Sequence, residues 1–244
     1  TANSAHDELT AGQAIKEEFT VVSQDGTASS TVTINITGSN DIASVTSATV
    51  DLTETNDSND ISVAGKLDTT DLDADQAYVK AGTQTGDYGT FEIDADGNWT
   101  YTASSAHDEL ADGQVAKEQF TVESLDGSTS SIVTINIAGT NDAAEITGTS
   151  IVLVTETDGV LDASGTLSAT DIDSSPDFVT QTAVDGSNGF GKFSIDADGN
   201  WTYTANATHD NFKAGTDYTD SITVATTDGT EQVVSVVIRG TNDA

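Results

Sequence analysis

IDADGNWTYTA stands at Ile93–Ala103 and recurs letter for letter at Ile195–Ala205. Phe91 and Ile93 alternate before its Asp-Gly-Asn, and Trp99 and Tyr101 alternate after it, which predicts a β-hairpin with large aromatics on one face. Other segments recur with it. GSND at Gly38–Asp41 returns as GTND at Gly139–Asp142 and at Gly240–Asp243, each step being 101 residues. AHDEL at Ala5–Leu9 returns at Ala106–Leu110 and, more loosely, as THDNF at Thr208–Phe212, where the second step is 102. A period near a hundred residues is too long for a solenoid turn and suits one compact domain.

Boundaries drawn after each TND-like segment give a partial repeat at 1–43 and full repeats at 44–143 and 144–244. The partial repeat begins at the residues that follow WTY in the other copies. Its apolar face of Phe19, Val21, Val32, Ile34 and Ile36 is therefore expected to lack a packing partner. Two explanations stay open: the chain is cut from a longer array, or another chain supplies the strands.

Strand signals fill both full repeats. Val133, Ile135 and Ile137 alternate with polar residues, as do Val32, Ile34, Ile36 and Val234, Val236, Ile238. Phe120 and Val122 match Phe19 with Val21 and Ile222 with Val224, each pair followed by an Asp-Gly turn at Asp25, Asp126 or Asp228. Ile61, Val63 and Leu67 mark an earlier strand, matched by Leu161 and Leu167. About seven short strands per repeat make the chain all-β, a tandem array of antiparallel sandwiches. AHDEL alone reads as a helical turn.

Forty-one acidic and seven basic residues give a formal charge of −34. Phosphates would be repelled, which excludes nucleic acid, and anionic membranes are disfavoured for the same reason. Hydrophobic content is only 35%, yet it falls in alternating blocks, which an acidic disordered tail does not show. With no cysteine, neither a disulfide nor a thiolate metal site braces the repeats. The sequence holds no signal peptide and no long apolar run, as expected of an internal stretch of a larger protein without direct membrane insertion.

GDYGTFEIDADGNWTYTA, the Asp-Gly strand pair and the terminal TINIAGTND together resemble VCBS-type repeats, relatives of the cadherin-like and immunoglobulin-like domains of giant bacterial adhesins. The resemblance covers both full repeats and the partial one. It implies Ig-like/cadherin-like β-sandwiches in an extracellular, bacterial cell-surface protein, exported by type I secretion and acting in cell adhesion and biofilms. The array would space an adhesive tip from the cell, its repeats contacting their neighbours in the same chain. The family often follows NDA with proline, but here Ala143 is followed by Ala144 and Asp41 by Ile42, so a local stiffener is missing. The glycine-rich calcium nonapeptides of many such proteins are also absent from the sequence.

Asp71, Asp73 and Asp75 in TDLDAD are the strongest metal candidates, because alternate residues of an extended segment face one side and three close carboxylates must share a cation, protonate or repel. Asp171 and Asp173 persist in TDIDSSPD, where Ser175 takes the third place. Calcium takes six to eight oxygens, so each pair needs help, and Glu54 and Glu156 in matching TET segments are candidates to supply it. The cadherin-like resemblance adds Asn40 with Asp41 and Asn141 with Asp142, linker residues expected to meet the Asp-x-Asp loop of the following domain. DADGN lacks the later bidentate glutamate of a calcium loop and reads as a plain hairpin.

His6, His107 and His209 share one slot and read as structural, since no nucleophile is fixed beside them. Trp99, Trp201, Tyr101 and Tyr203 read as sheet packing before a sugar platform. No phosphate loop, zinc pattern or nucleophile elbow is present, so no enzyme is expected. Two functions remain: a stalk whose domains are locked by calcium at their junctions, or a carbohydrate-binding or homophilic adhesion module in which glycans or identical chains are the partners and tandem copies add avidity.

Overall fold

A computed structural model describes residues 4–242; Asp243, in the third TND-like segment, lies outside the described residues. The chain is all-β, with nineteen strands and no helix among the described residues. It divides into two compact units: unit 1 is Thr1–His107 with Gln114–Gly139, and unit 2 is Asp108–Gly113 with Thr140–Ala244.

Unit 1 opens with the hairpin β1 (Ala14–Val22) and β2 (Ser29–Thr37). Its sandwich follows. One sheet orders β10 (Val115–Glu123), β11 (Ser130–Ala138) and β4 (Ala48–Thr53); the other orders β5 (Val63–Lys66), β9 (Asn98–Ala103), β8 (Gly89–Ile93) and β7 (Gly82–Thr85), beside a short pair of β3 (Ser44–Val45) and β6 (Thr69–Thr70). Unit 2 repeats this plan. Its five-stranded sheet orders β12 (Glu145–Gly148), β14 (Asp162–Thr170), β17 (Asn200–Ala205), β16 (Gly191–Ile195) and β15 (Gln181–Asp185), and its three-stranded sheet orders β13 (Ile151–Thr155), β19 (Glu231–Arg239) and β18 (Asp217–Ala225).

Two details depart from the expected antiparallel, seven-strand plan. The first strand of each sandwich switches sheets, so unit 2 has eight strands; the break falls at Gly148, whose φ of 109° and closeness to Thr166 O leave no place for a Cβ. After the switch, β4 runs parallel to β11 and β13 runs parallel to β19, while the other named pairs are antiparallel. AHDEL also forms no helix. Leu9 N–H donates to His6 O (3.1 Å) and Phe212 N–H to His209 O (2.8 Å), with His6, His107 and His209 at φ of 60–66°, a backbone that no α-helix accommodates.

Period-2 patterning places the core. Phe120, Val122, Val133, Ile135 and Ile137 are buried, and Phe91 of β8 stacks on Phe120 of β10 with centroids 4.9 Å apart, joining the two sheets of unit 1. Unit 2 packs Phe193, Trp201, Tyr203, Val224, Val236 and Ile238 in the same way. Trp99, Tyr101, Trp201 and Tyr203 are at most 3% exposed, so these rings are core and form no open platform. The histidines brace the copies: His107 Nε2 donates to Tyr88 O (2.7 Å) and His209 Nε2 to Phe190 O (2.8 Å), each ring edge-on to that residue's ring.

A buried carboxylate crosses each core. Glu118 shares the inward register of Phe120 and accepts the Tyr101 hydroxyl (2.6 Å) and the Tyr88 N–H (2.8 Å). Its counterpart Asp220 accepts N–H groups from Asn188, Phe190 and Gly191 at 2.8–3.0 Å and, more weakly, the Tyr203 hydroxyl (3.4 Å). A Cβ on Gly86 or Gly186 would lie about 2 Å from these carboxylates, so only glycine lets the loop close on them. Burial, then the carboxylate at its oxygen, pushes both phenols up from their ordinary value.

Phe120→Ala should cost about 3–5 kcal/mol in urea unfolding, whereas Phe19→Ala, at a position 49% exposed, should cost under about 1 kcal/mol. Equal losses would contradict the packing described. Glu118→Ala should cost about 2–4 kcal/mol by stranding a buried hydroxyl and amide, and hydrogen exchange should quicken at the Tyr88 amide first.

Candidate metal centre

In unit 1 the loop after β6 is bent, not extended as its Asp alternation suggested. Asp71 Oδ1 accepts the Asp73 N–H (2.9 Å), closing a tight turn, and Asp75 sits exposed at φ 60° beyond it. Asp73, only 2% exposed, turns Oδ2 to the Asp41 N–H (2.9 Å). Burial first, then the charges of Asp73, Asp7 and Asp71, raises the Asp41 carboxyl above its ordinary value. Four carboxylates therefore converge where the GSND segment meets the loop.

Unit 2 builds the same arrangement. Asp171 Oδ1 accepts N–H groups from Asp173 (3.1 Å) and Ser174 (2.7 Å), and Asp173 Oδ2 accepts the Asp142 N–H (3.2 Å). A carboxylate oxygen of Asp108 lies within 4.8 Å of one of Asp142. Burial, followed by the bond to Asp171, raises the Asp173 carboxyl; burial opposes the charge of Asp171 too, but the Ser174 and Asp173 donors outweigh it and hold that carboxyl low.

Buried oxygens without a hydrogen-bond partner gather at these places: Asp71 Oδ2 and Asp73 Oδ1 in unit 1, and Asp108 Oδ1 and Asp173 Oδ1 in unit 2; Glu156 Oε1, after β13, is another. A buried carboxylate oxygen that no donor reaches is costly. Calcium, a hard cation bound by carboxylates and carbonyls, fits such a donor set.

The remaining candidates are held by other contacts. Glu156 turns Oε2 to the N–H (2.7 Å) and hydroxyl (2.9 Å) of Thr241, because β13 runs beside β19 and their ends are neighbours; it does not join Asp171 and Asp173. Glu54, likewise 2% exposed, follows β4, and its N–H donates to Ala138 O (2.8 Å). The Asn40 amide donates to Asp126 Oδ2 (2.9 Å) and Asp41 O (2.8 Å), and the Asn141 amide to Asp142 O (3.0 Å), so both shape the linker backbone. Asp7 and Asp108 were missed by the sequence reading, although an aspartate follows the histidine in every copy.

The Asp-Gly turns also hold the linkers. Asp228 takes the hydroxyls of Thr226 and Thr230 and the Ala144 N–H (3.1 Å); in unit 1 Ser128 Oγ accepts the Ala43 N–H (2.9 Å) beside Asp126. Burial works against the charge of Asp126 and Asp228, but these hydroxyl and amide donors hold both carboxyls well below the usual range. In DADGN, Asp94 accepts both the N–H and the side-chain amide of Asn98, as expected of a plain hairpin.

Residues 40–139 match the bacterial cadherin-like domain and residues 141–241 match the bacterial Ig domain, so the chain carries the two domain types in tandem. Such domains are typically adhesion and structural modules of the extracellular surface. No helix among the described residues is long and apolar enough to cross a membrane. Similar solved structures include extracellular cadherin domains 1–4 of protocadherin gamma B7 (14% identity, 94% of this chain and 58% of that one, TM-score 0.40) and the protocadherin gamma B4 extracellular domain (12%, 97% and 42%, TM-score 0.48). Domains 1–3 of mouse protocadherin-24 are also similar (16%, 93% and 80%, TM-score 0.39). The chain spans about half the length of the first two. No curated protein sequence matches significantly.

Without divalent metal, stability should rise as pH is lowered from 7 toward about 4.5 and fall below about 3.5. The raised carboxyls of Asp41 and Asp173 contribute fully below their unfolded value, and that contribution is lost as pH rises through the folded one. The depressed carboxyls of Asp126 and Asp228 contribute above the unfolded value and lose it as pH falls toward the folded one. Urea midpoints in chelator across this range are the measurement, and Asp173→Asn should flatten the rise for unit 2. A flat profile in the unaltered chain would contradict the convergence of charge.

Proposed function

We propose that this chain is a non-enzymatic extender of a bacterial surface or secreted adhesin, built of VCBS-type repeats with boundaries at 43 and 143 and stiffened by calcium at the junctions between repeats. One observation carries the reading: buried carboxylate oxygens without hydrogen-bond partners recur at the same place in two copies, on the Asp-x-Asp loop that holds the incoming TND-like segment.

Asp7, Asp41, Asp71 and Asp73 would hold calcium before the second repeat, and Asp108, Asp142, Asp171 and Asp173 before the third. Glu54 and Glu156 close the ends of their repeats and would add an oxygen there. The ion supplies a positive centre that these oxygens share. The protein's part is to fix them: Asp71 and Asp171 fold their loops by accepting backbone amides, and the Asp41 and Asp142 amides clamp the linker to Asp73 and Asp173. Without the cation the carboxylates repel and the linker bends. A calcium-poor cytoplasm would leave the chain looser for export, and millimolar external calcium would set it. Neighbouring repeats are the partners this reading requires. A glycan platform loses its candidate aromatics to the core.

Calorimetric titration of the chain with calcium should show binding at both nests, with a stability gain of about 2.7 kcal/mol at a hundredfold excess over Kd. Chelator should shorten or loosen the particle in small-angle scattering. Asp73→Asn should change sign with conditions, near neutral or stabilising in chelator and destabilising in calcium. Identical melting and scattering in calcium and in chelator would end the proposal.

A further inference from the structure

The two sandwiches share a plan but not an outer face. Counted back from the matching Glu54 and Glu156, Asp51 of β4 corresponds to Leu153 of β13. The outward row across β4, β11 and β10 is Asp51, Asn136 and Lys117, whereas the row across β13, β19 and β18 is Leu153, Val237 and Thr219. On the same outer face Ile151 stands beside Ser235 and Ser221. Ile151 is 66% exposed, Leu153 60% and Val233 49%, in a chain whose hydrophobic content is only 35%. The sandwich does not need apolar residues there, because unit 1 builds the same sheet with Thr49 and Asp51 in those places.

β13 is also a sheet edge, with β19 as its one strand partner among the described residues. Ser150 O accepts the Ser235 N–H (2.8 Å) and the Glu156 N–H donates to Arg239 O (2.9 Å). Strand alternation then turns the N–H and C=O of Val152 and Val154 to β19, and those of Ile151, Leu153 and Thr155 to the opposite side. At the head of that row the Thr149 N–H reaches Thr166 O of β14 (2.8 Å); past it no strand adjoins the row among the described residues. Proteins commonly blunt such an edge with a charge, as Asp51 does on β4. Thr149–Thr155 carries none.

We propose that β13 is a self-association seam, pairing antiparallel with β13 of a second copy of this chain about a two-fold axis at Leu153. The register is its own complement: Leu153 meets its counterpart, Ile151 meets Thr155, and each of these rungs exchanges both N–H···O bonds. The two Leu153 side chains adjoin on the outer face, and the half-buried Val152 and Val154 adjoin across the inner one. Charge singles out this occupant. A chain of −34 repels its copy over most of its surface, but this strand is neutral, and the antiparallel order sends the two Asp158 loops to opposite ends of the ladder. A basic partner would find no carboxylate on the strand to pair with. The same pairing at β4 would set Asp51 against Asp51. The inference uses none of the candidate metal ligands.

Sedimentation of the full chain over a concentration series should show a dimer at on the order of hundreds of micromolar, as befits a small contact. Added salt should tighten it, because repulsion between the acidic copies is screened. Amide exchange should slow on dimerisation at Ile151, Leu153 and Thr155 and change little at Val152 and Val154, whose amides already bond to β19. Leu153→Asp should weaken association at least about tenfold, with the melting temperature kept because the side chain is exposed. Leu153→Val should keep the dimer. A monomer at every concentration and salt, a dimer that survives Leu153→Asp, weakening by salt, or protection confined to other strands would each overturn the proposal.

Discussion

Phe91 lies flat on Phe120 across the gap between two sheets, and every strand around them alternates so that one side chain in two can join that layer. A chain with 35% hydrophobic residues and a charge of −34 can spare little more than that. The apolar positions fill the inward registers, and the acids other than Glu118 and Asp220 are mostly pushed to outward registers and loops. Phe193 and Tyr203 impose the same division on unit 2.

The acids then fall into two kinds. Asp94, Asp126, Asp196 and Asp228 sit in turns where hydroxyls and amides surround the carboxylate and hold its acidity high. Asp73 and Asp173 are tied to one linker amide each and keep a second oxygen buried with no hydrogen-bond partner. Turn chemistry explains the first kind completely. It leaves the second over, and that remainder, present in two copies, is what a divalent cation would satisfy.

Strand positions and both hairpins were legible because apolar alternation and Asp-Gly turns act locally, as Val133, Ile135 and Gly127 show. Glu118 was not: a charged residue in a strand reads as outward, and only its parity with Phe120 marks it as inward. Asp75 sits apart from Asp71 and Asp73 for a related reason. Spacing two apart implies one face only in an extended chain, and the Asp71 carboxylate captures the Asp73 amide and bends this one. The parallel pairing of β4 with β11 joins residues some 85 apart, which no local pattern announces. Asp108 went unnoticed because its histidine neighbour drew the structural reading, and its approach to Asp142 depends on tertiary structure.

That parallel pairing has a mechanical consequence. β13 follows β12, and β19 is the last strand of unit 2; β13 and β19 run side by side in the same direction from Ile151 with Ser235 to Thr155 with Arg239. Tension between the start of β13 and the end of β19 therefore pulls the strands lengthwise past each other, loading their ladder bonds together in shear instead of peeling them one at a time. Once β12 has been drawn off β14, this seam would meet the load along the direction in which it is strongest.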